Sequence, residues 1–223
     1  MFDYQLKLSK RRKTVAIKVT QEQVVVTAPY NVCEVALENW LKSKKDWVHA
    51  QRDKLELAPN KQKPLQTRSL LVFGLVYKVE FSDITKPILD HESRLVYLPE
   101  LLRQDRLEFR RTIIEILTDL LSSYLELCLA SLSKQMNCHV SAVKIREYKS
   151  RWGSCSSKQA LTFNSLLAGA PKHMIDYVIV HELSHCHVLA HNKLFWQLVE
   201  KHYEDYKSAR LWFNKNGKAL MIE

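Results

Sequence analysis

The stretch 178–191, VIVHELSHCHVLAH, contains the pattern H-E-x-x-H at His181, Glu182 and His185. The apolar residues leading into it predict a helix over about 172–188. In a helix of about 3.6 residues per turn, positions i and i+4 lie about 40° apart, so both imidazoles point the same way and can share one cation. Glu182 lies about 100° from His181, where it can hold a metal-bound water and accept its proton.

His191 is the candidate for a third ligand. A catalytic zinc usually takes three protein ligands and leaves one position for water. His191 follows His185 at the interval of the longer pattern H-E-x-x-H-x-x-G-x-x-H, but Val188 stands at the glycine position. Because Asn192 can cap a following helix, the chain can return His191 to the metal. The three histidines therefore predict a site for one Zn²⁺ ion.

Other interpretations of the motif stay open. In a gluzincin-like site, Glu200 or Glu204 would replace His191, although both lie closer to His185 than such ligands usually fall. A closed structural zinc site would favour cysteine ligands and four protein donors. Cys186 is the nearest thiol, but neighbouring residues do not share a helix face. A chance cluster of surface histidines is the remaining alternative.

Composition excludes several classes of protein. The 223 residues are 46% apolar and 26% charged, with 4 Gly and 6 Pro, unlike collagen, a mucin-like stalk or a disordered tail. The five cysteines form no CxxC pair, which indicates a reducing compartment. The long apolar stretch 112–132 carries three acidic residues, which would be costly inside a membrane. We therefore expect a cytoplasmic protein without a membrane partner.

Positive charge is concentrated near the N-terminus. The formal net charge is +10, and residues 1–64 hold 13 basic and 7 acidic side chains, including the run KRRK at 10–13. Such a run either binds nucleic acid or another acidic partner, or is a solvated turn that keeps a strand edge soluble. The first interpretation supplies an alternative function, a nucleic-acid-associated protein that uses this basic region, for example as a protease acting on DNA-bound proteins.

The order of predicted elements indicates an α+β fold. The first half is predicted to contain a three-stranded antiparallel meander in the first thirty residues, a helix from Asn31 to about Arg52, a loop at 58–69 and a strand region at 70–81. The second half is predicted to contain a long helix ending near Asn137, strands at 142–147 and 160–164 joined by a turn at 151–158, the helix at 172–188 and a helix after Asn192. Strands come first and helices later. We expect a β-rich region with one helix over 1–98 and a second domain over 99–223, which can form one compact unit.

Three segments resemble the YgjP-like metallopeptidases, a family of the zincin group that includes the SprT- and WLM-type proteases. They are SRWGSCSSKQALTFN at 150–164, HELSHCHVLAHNKLFW at 181–196 and DYKSARLWFNKNG at 205–217. The resemblance is strong from about residue 142 to the C-terminus and less specific before it. It implies a zincin-like catalytic domain, and the N-terminal strand meander that precedes it is also similar to that family.

The resemblance also implies roles for individual residues. Zinc would be held by His181, His185 and His191, with Glu182 as the general base. The family usually has serine after the third histidine, where this chain has Asn192, and both residues cap helices well. On this basis the chain is a zinc metallopeptidase, a hydrolase that acts on peptide or protein substrates.

The segment Arg151, Trp152, Gly153 and Ser154 is the candidate substrate-binding region. In zincin folds a strand edge beside the active-site helix commonly receives the substrate backbone, and Gly153 would allow close approach. The alternative is a packed turn with Trp152 in the core. The nearby Cys155 shows no pairing with histidine that would make it a nucleophile.

Oxyanion stabilisers cannot be chosen from spacing alone. Tyr203, Tyr206 and Arg210 are the candidates beyond the motif.

Overall fold

The computed structural model describes residues 2–19, 23–56 and 62–223. The chain divides into two compact units, Met1–Pro59 and Asn60–Glu223. This division falls inside the predicted loop at 58–69, whereas the expected boundary at 98/99 lies inside the second unit. The difference arises because the strands before residue 99 share a hydrophobic core with the helices after it.

The described residues of the first unit form three strands and two helices. They are β1 (Gln5–Ser9), β2 (Ala16–Val19), β3 (Val24–Pro29), α1 (Glu34–Ser43) and α2 (Lys45–Glu56). The three predicted strands are confirmed, but the meander is wrong: the sheet order is β1-β3-β2, and β1 runs parallel to β3. The connection between β2 and β3 at 20–22 lies outside the described residues.

The central position of β3 follows from its side chains. Val24, Val26 and Ala28 are fully or almost fully buried, whereas Leu6 and Leu8 of β1 are 42% and 49% exposed. The strand with the most buried apolar face takes the middle of the sheet, where both of its edges are paired.

The predicted helix from Asn31 to Arg52 is two helices. α1 begins after Cys33, which makes no side-chain capping bond, and it ends at Ser43, because the backbone of Lys44 leaves helical geometry. Leu37 and Leu41 of α1 and Val48 of α2 are buried in the core of this unit.

Residues 62–223 of the second unit form two sheets. A four-stranded sheet has the order β4-β5-β7-β6, formed by β4 (Ser69–Val72), β5 (Leu75–Ser82), β6 (Ile88–Asp90) and β7 (Leu95–Pro99). A three-stranded sheet has the order β8-β10-β9, formed by β8 (Ala142–Arg146), β9 (Gly153–Cys155) and β10 (Ala160–Asn164). The strands at 142–147 and 160–164 are confirmed, but the predicted turn between them contains β9. Sequence analysis did not find β6 and β7.

Five helices complete the part of the second unit that the structure describes: α3 (Pro64–Thr67), α4 (Arg106–Gln135), α5 (Lys172–Ser184), α6 (Lys193–His202) and α7 (Tyr206–Asn216). Short 3₁₀ turns cover Glu100–Arg103, Ser165–Gly169 and Gly217–Leu220. The predicted loop at 58–69 contains α3, and residues 57–61 lie outside the described part. α7 was not predicted. The α+β class is confirmed.

Helix α5 is buried on nearly every side, which is why it can position a site inside the unit. Its buried residues include Ile175, Val178, Ile179 and Leu183. It packs against α4, α6, α7 and the edge strand β9. A helix that is apolar all round belongs in a core, and this one carries the H-E-x-x-H motif at its C-terminal end.

No helix in the described residues combines the length and the apolar content that a membrane crossing needs.

Candidate metal centre

The first two histidines are positioned by the end of α5. His181 lies within the helix, which ends at Ser184, four residues before the predicted end at Val188, and His185 is its C-terminal cap. The chain continues in turns of i→i−3 hydrogen bonds as far as His187. The Nδ1 of His185 lies 3.1 Å from the carbonyl oxygen of Val188. Because a carbonyl can only accept, Nδ1 is the protonated nitrogen and Nε2 of His185 keeps its lone pair.

The third histidine is returned to the site by the start of α6. Asn192 caps this helix, as predicted, with its side-chain oxygen accepting a hydrogen bond from the backbone of Phe195 at 3.1 Å. His191, directly before the cap, places its Nε2 3.0 Å from the Nε2 of His181. One potential ligand atom from each of His181, His185 and His191 lies within 4.8 Å of the other two.

Phe195 fills the space behind these three rings. Its side chain is fully buried, and its ring centroid lies 4.9 Å, 4.5 Å and 4.7 Å from those of His181, His185 and His191. One buried aromatic residue therefore contacts every histidine of the group and limits how far each ring can move.

The electrostatics favour neutral imidazoles. Burial lowers the pKa of His181 to about 3, with further contributions from His185, His191 and Arg210. Burial also lowers the pKa of His185. The Nδ1 of His181 is buried and has no hydrogen-bond partner among the described residues. The nitrogen donors of three imidazoles, within 4.8 Å of one another, fit a zinc ion with a free coordination position.

Glu182 lies beside the histidine group in a buried position. Its side chain is 4% exposed, and burial raises the pKa of its carboxyl to about 8, although the positive charge of Arg151 opposes this. The carboxylate lies against the backbone of Gly153 on β9. The close approach that the sequence assigned to substrate at Gly153 is therefore made by Glu182.

A cavity of about 610 Å³ opens over the histidines. Its lining includes all four predicted substrate-binding residues, Arg151, Trp152, Gly153 and Ser154. Trp152 also packs on Phe213, with ring centroids 5.4 Å apart, so its indole is part of the core as well as of the cavity wall.

The alternative ligands lie elsewhere. Within the described ranges, the three histidines are the only set of three or more His, Cys, Asp or Glu side chains close enough to share an ion, so Glu200 and Glu204 do not join them. Cys186 lies 3.9 Å from Cys155, sulfur to sulfur, rather than in the histidine group. His187 turns away, with its Nε2 2.9 Å from the carbonyl oxygen of Met136.

Of the three candidate oxyanion stabilisers, only Arg210 lines the cavity. The hydroxyl of Tyr203 donates to the carbonyl of His173, and Tyr206 is buried against Trp196. Sequence reasoning missed Tyr177, which lines the cavity and whose pKa burial raises to about 12. Its position one helical turn before His181 is the signal that could have identified it.

Comparison with known proteins agrees with this geometry. The family model described as "YgjP-like, metallopeptidase domain" matches residues 13–216. The chain belongs to the YgjP-like metallopeptidase family. As a YgjP-like metallopeptidase it is a hydrolase of peptide bonds in a zincin-like α+β fold, and the metal of this class is typically zinc. Membership supports peptide or protein substrates and gives no support to a nucleic-acid partner.

The other comparisons add little to this assignment. No curated protein matches the chain. A solved structure that matches it is described as "Crystal structure of the metallopeptidase zymogen of Pyrococcus abyssi abylysin". The two are 20% identical, the match covers 41% of this chain and 97% of that one, and the TM-score is 0.35.

Proposed function

We propose that this YgjP-like metallopeptidase hydrolyses peptide bonds with one zinc ion held by His181, His185 and His191 and with Glu182 as general base. The observation that carries the proposal is the convergence of the three histidines, whose ligand atoms lie within 4.8 Å of one another, beside a buried carboxylate. When bound, zinc supplies a Lewis acid that polarises the scissile carbonyl and lowers the pKa of a water.

Glu182 moves the proton in this scheme. Its ionised carboxylate takes a proton from the attacking water and gives it to the leaving amine. Burial raises the pKa of Glu182, and a carboxylate with a raised pKa is a stronger base than an exposed one. The contact with Gly153 limits where the carboxylate can lie.

The edge strand β9 is the proposed binding site for the substrate backbone. β9 pairs with β10 on one side, and no described strand pairs with its other edge. An extended peptide can add to that edge through main-chain hydrogen bonds. Gly153 and Ser154 would then hold the peptide along the cavity, next to Glu182.

Metal analysis of the purified protein tests the ligand set. We expect about one zinc per chain, and loss of zinc in His185→Ala. The matched control is His187→Ala, which removes a histidine of the same segment whose ring contacts the carbonyl of Met136 instead. Absence of stoichiometric zinc, or equal zinc content in the His185 and His187 variants, would refute the assignment.

The role of Glu182 is tested separately. Glu182→Gln is expected to keep zinc and to abolish hydrolysis of an unstructured protein substrate such as casein. A Glu182→Gln variant with unchanged turnover would show that another group takes the proton.

A further inference from the structure

We propose that Arg210 binds a carboxylate of the substrate in the cavity above the histidine group. The inference rests on the proposed function and names a substrate class for the same site: peptides with an acidic group near the scissile bond. The carboxylate has two sources, an Asp or Glu side chain and the free C-terminus of a peptide.

The first argument is that the guanidinium of Arg210 is free. Arg210 lies on α7, is exposed, and lines the cavity together with His181 and His191. Over the described ranges, its guanidinium makes no ion pair and no hydrogen bond, and it lies over the ring of Trp196. All five of its N–H donors are thus available to a ligand.

The second argument is that the guanidinium is held in place. Its central carbon lies 4.3 Å from the ring centroid of Trp196, and Trp196 in turn stacks on His191 and on Tyr206, at 5.7 Å and 5.4 Å between centroids. Stacking uses the face of the guanidinium and leaves its planar edge free. The N–H groups of that edge can donate two parallel hydrogen bonds to the oxygens of one carboxylate.

The third argument is the charge of the cavity. The charged lining residues are Arg151, Arg210 and Glu182. Glu182, the one carboxylate of the lining, is buried and interacts with Arg151, so no second lining carboxylate balances the charge of Arg210. A cavity lined by charge of one sign attracts a ligand of the other sign.

Binding without turnover is the appropriate test, because it does not depend on catalysis. The probes are a labelled neutral peptide with an amidated C-terminus, a set in which one glutamate occupies each position in turn, and the neutral peptide with a free C-terminus. Their dissociation constants are measured by fluorescence anisotropy with zinc-loaded Glu182→Gln protein. The glutamate set and the free C-terminus distinguish the two sources of carboxylate.

We expect at least one acidic peptide to bind about tenfold more tightly than the neutral peptide, the size typical of a hydrogen bond to a charged group. Adding Arg210→Gln should reduce this ratio to about one. Arg210→Lys keeps the charge but loses the planar edge, and should give an intermediate ratio. The matched control is Lys215→Gln, which removes one positive charge from an exposed residue of α7 that does not line the cavity. It should leave the ratio unchanged.

Three results would overturn the subsite: equal binding of acidic and neutral peptides, a preference that survives Arg210→Gln in a variant with normal zinc content and melting temperature, or no measurable binding of any peptide. The outcome is separable from that of the proposed function. Hydrolysis by the wild type without acidic preference removes the subsite and leaves the peptidase. Acidic preference in binding, with no hydrolysis by the wild type, removes the peptidase and leaves the subsite.

Discussion

The carboxylate of Glu182 lies directly against the backbone of Gly153. A methyl group on Gly153 would lie 2.6 Å from Oε1 and 2.8 Å from the carboxyl carbon of Glu182. Both distances are shorter than the contacts that Cβ atoms make with other atoms in proteins. The edge strand β9 and the helix α5 therefore meet at a position where only glycine leaves room for the proposed general base.

Gly153→Ala is expected to displace Glu182 without removing the histidines. We predict a fall in kcat of about 10- to 100-fold, because small displacements of a catalytic group have effects of this size. Zinc content should stay the same. Steady-state kinetics and metal analysis measure both quantities.

Ser157→Ala, an exposed position in the same segment, is the control for this substitution and should behave like the wild type. A Gly153→Ala variant within about threefold of wild-type kcat would show that the carboxylate adjusts without loss of function.

The pH dependence of stability reports on the burial of Glu182. Its pKa in the folded protein is raised to about 8, above its ordinary value, so its contribution is fully present below about pH 4.5 and is lost as the pH rises towards 8. The metal-free wild type should therefore lose stability relative to Glu182→Gln between pH 5 and 8, by on the order of 2–4 kcal/mol. Urea unfolding in the presence of a chelator measures this difference, and parallel pH profiles for the two proteins would contradict it.

The cap at Asn192 links helix formation to metal binding. Asn192→Ala removes the hydrogen bond to the backbone of Phe195, which should lower the free energy of unfolding by about 1 kcal/mol. Because the same turn places His191, the affinity for zinc should fall as well. Asn192→Ser should restore both quantities, since serine is an equivalent cap. A chelator-competition titration measures the affinity for zinc. Normal affinity in Asn192→Ala would show that the cap does not affect the position of His191 as a ligand.

Phe195 supports all three histidine rings. Phe195→Ala is expected to lower the free energy of unfolding of the metal-free protein by about 3–5 kcal/mol. It should also weaken zinc binding by the folded protein, because the three rings lose the side chain that limits their movement. Val199→Ala is the matched control, because Val199 is fully buried on the same helix but belongs to no ring contact of the histidines. It should lose stability while keeping zinc affinity. Equal affinities in the two variants would contradict a positioning role.

Much of the site followed from local sequence. The spacing of His181 and His185 places both on one side of α5, and the helix-capping preference of Asn192 explains the turn that returns His191. These features depend on residues within about two helical turns, so periodicity and capping preferences predict them. The identity of the metal ligands remains a prediction that metal analysis must test.

Where the prediction failed, long-range pairing was the cause. The parallel pairing of β1 with β3 and the strand β9 inside a predicted turn depend on partners that sequence patterns do not identify. The early end of α5 at Ser184 likewise depends on the turn that brings His185 to Val188.

The sequence by itself determined the class of fold, the helix that carries H-E-x-x-H and the residues available to a metal, because each depends on the chemistry and spacing of near neighbours in the chain. Only the tertiary structure decided that Glu182 rests on Gly153 and that Arg210 lies free over Trp196 at the cavity. Those contacts join residues about 15 to 30 positions apart, and they exist only because packing of the core brings α5, α6, α7 and β9 together.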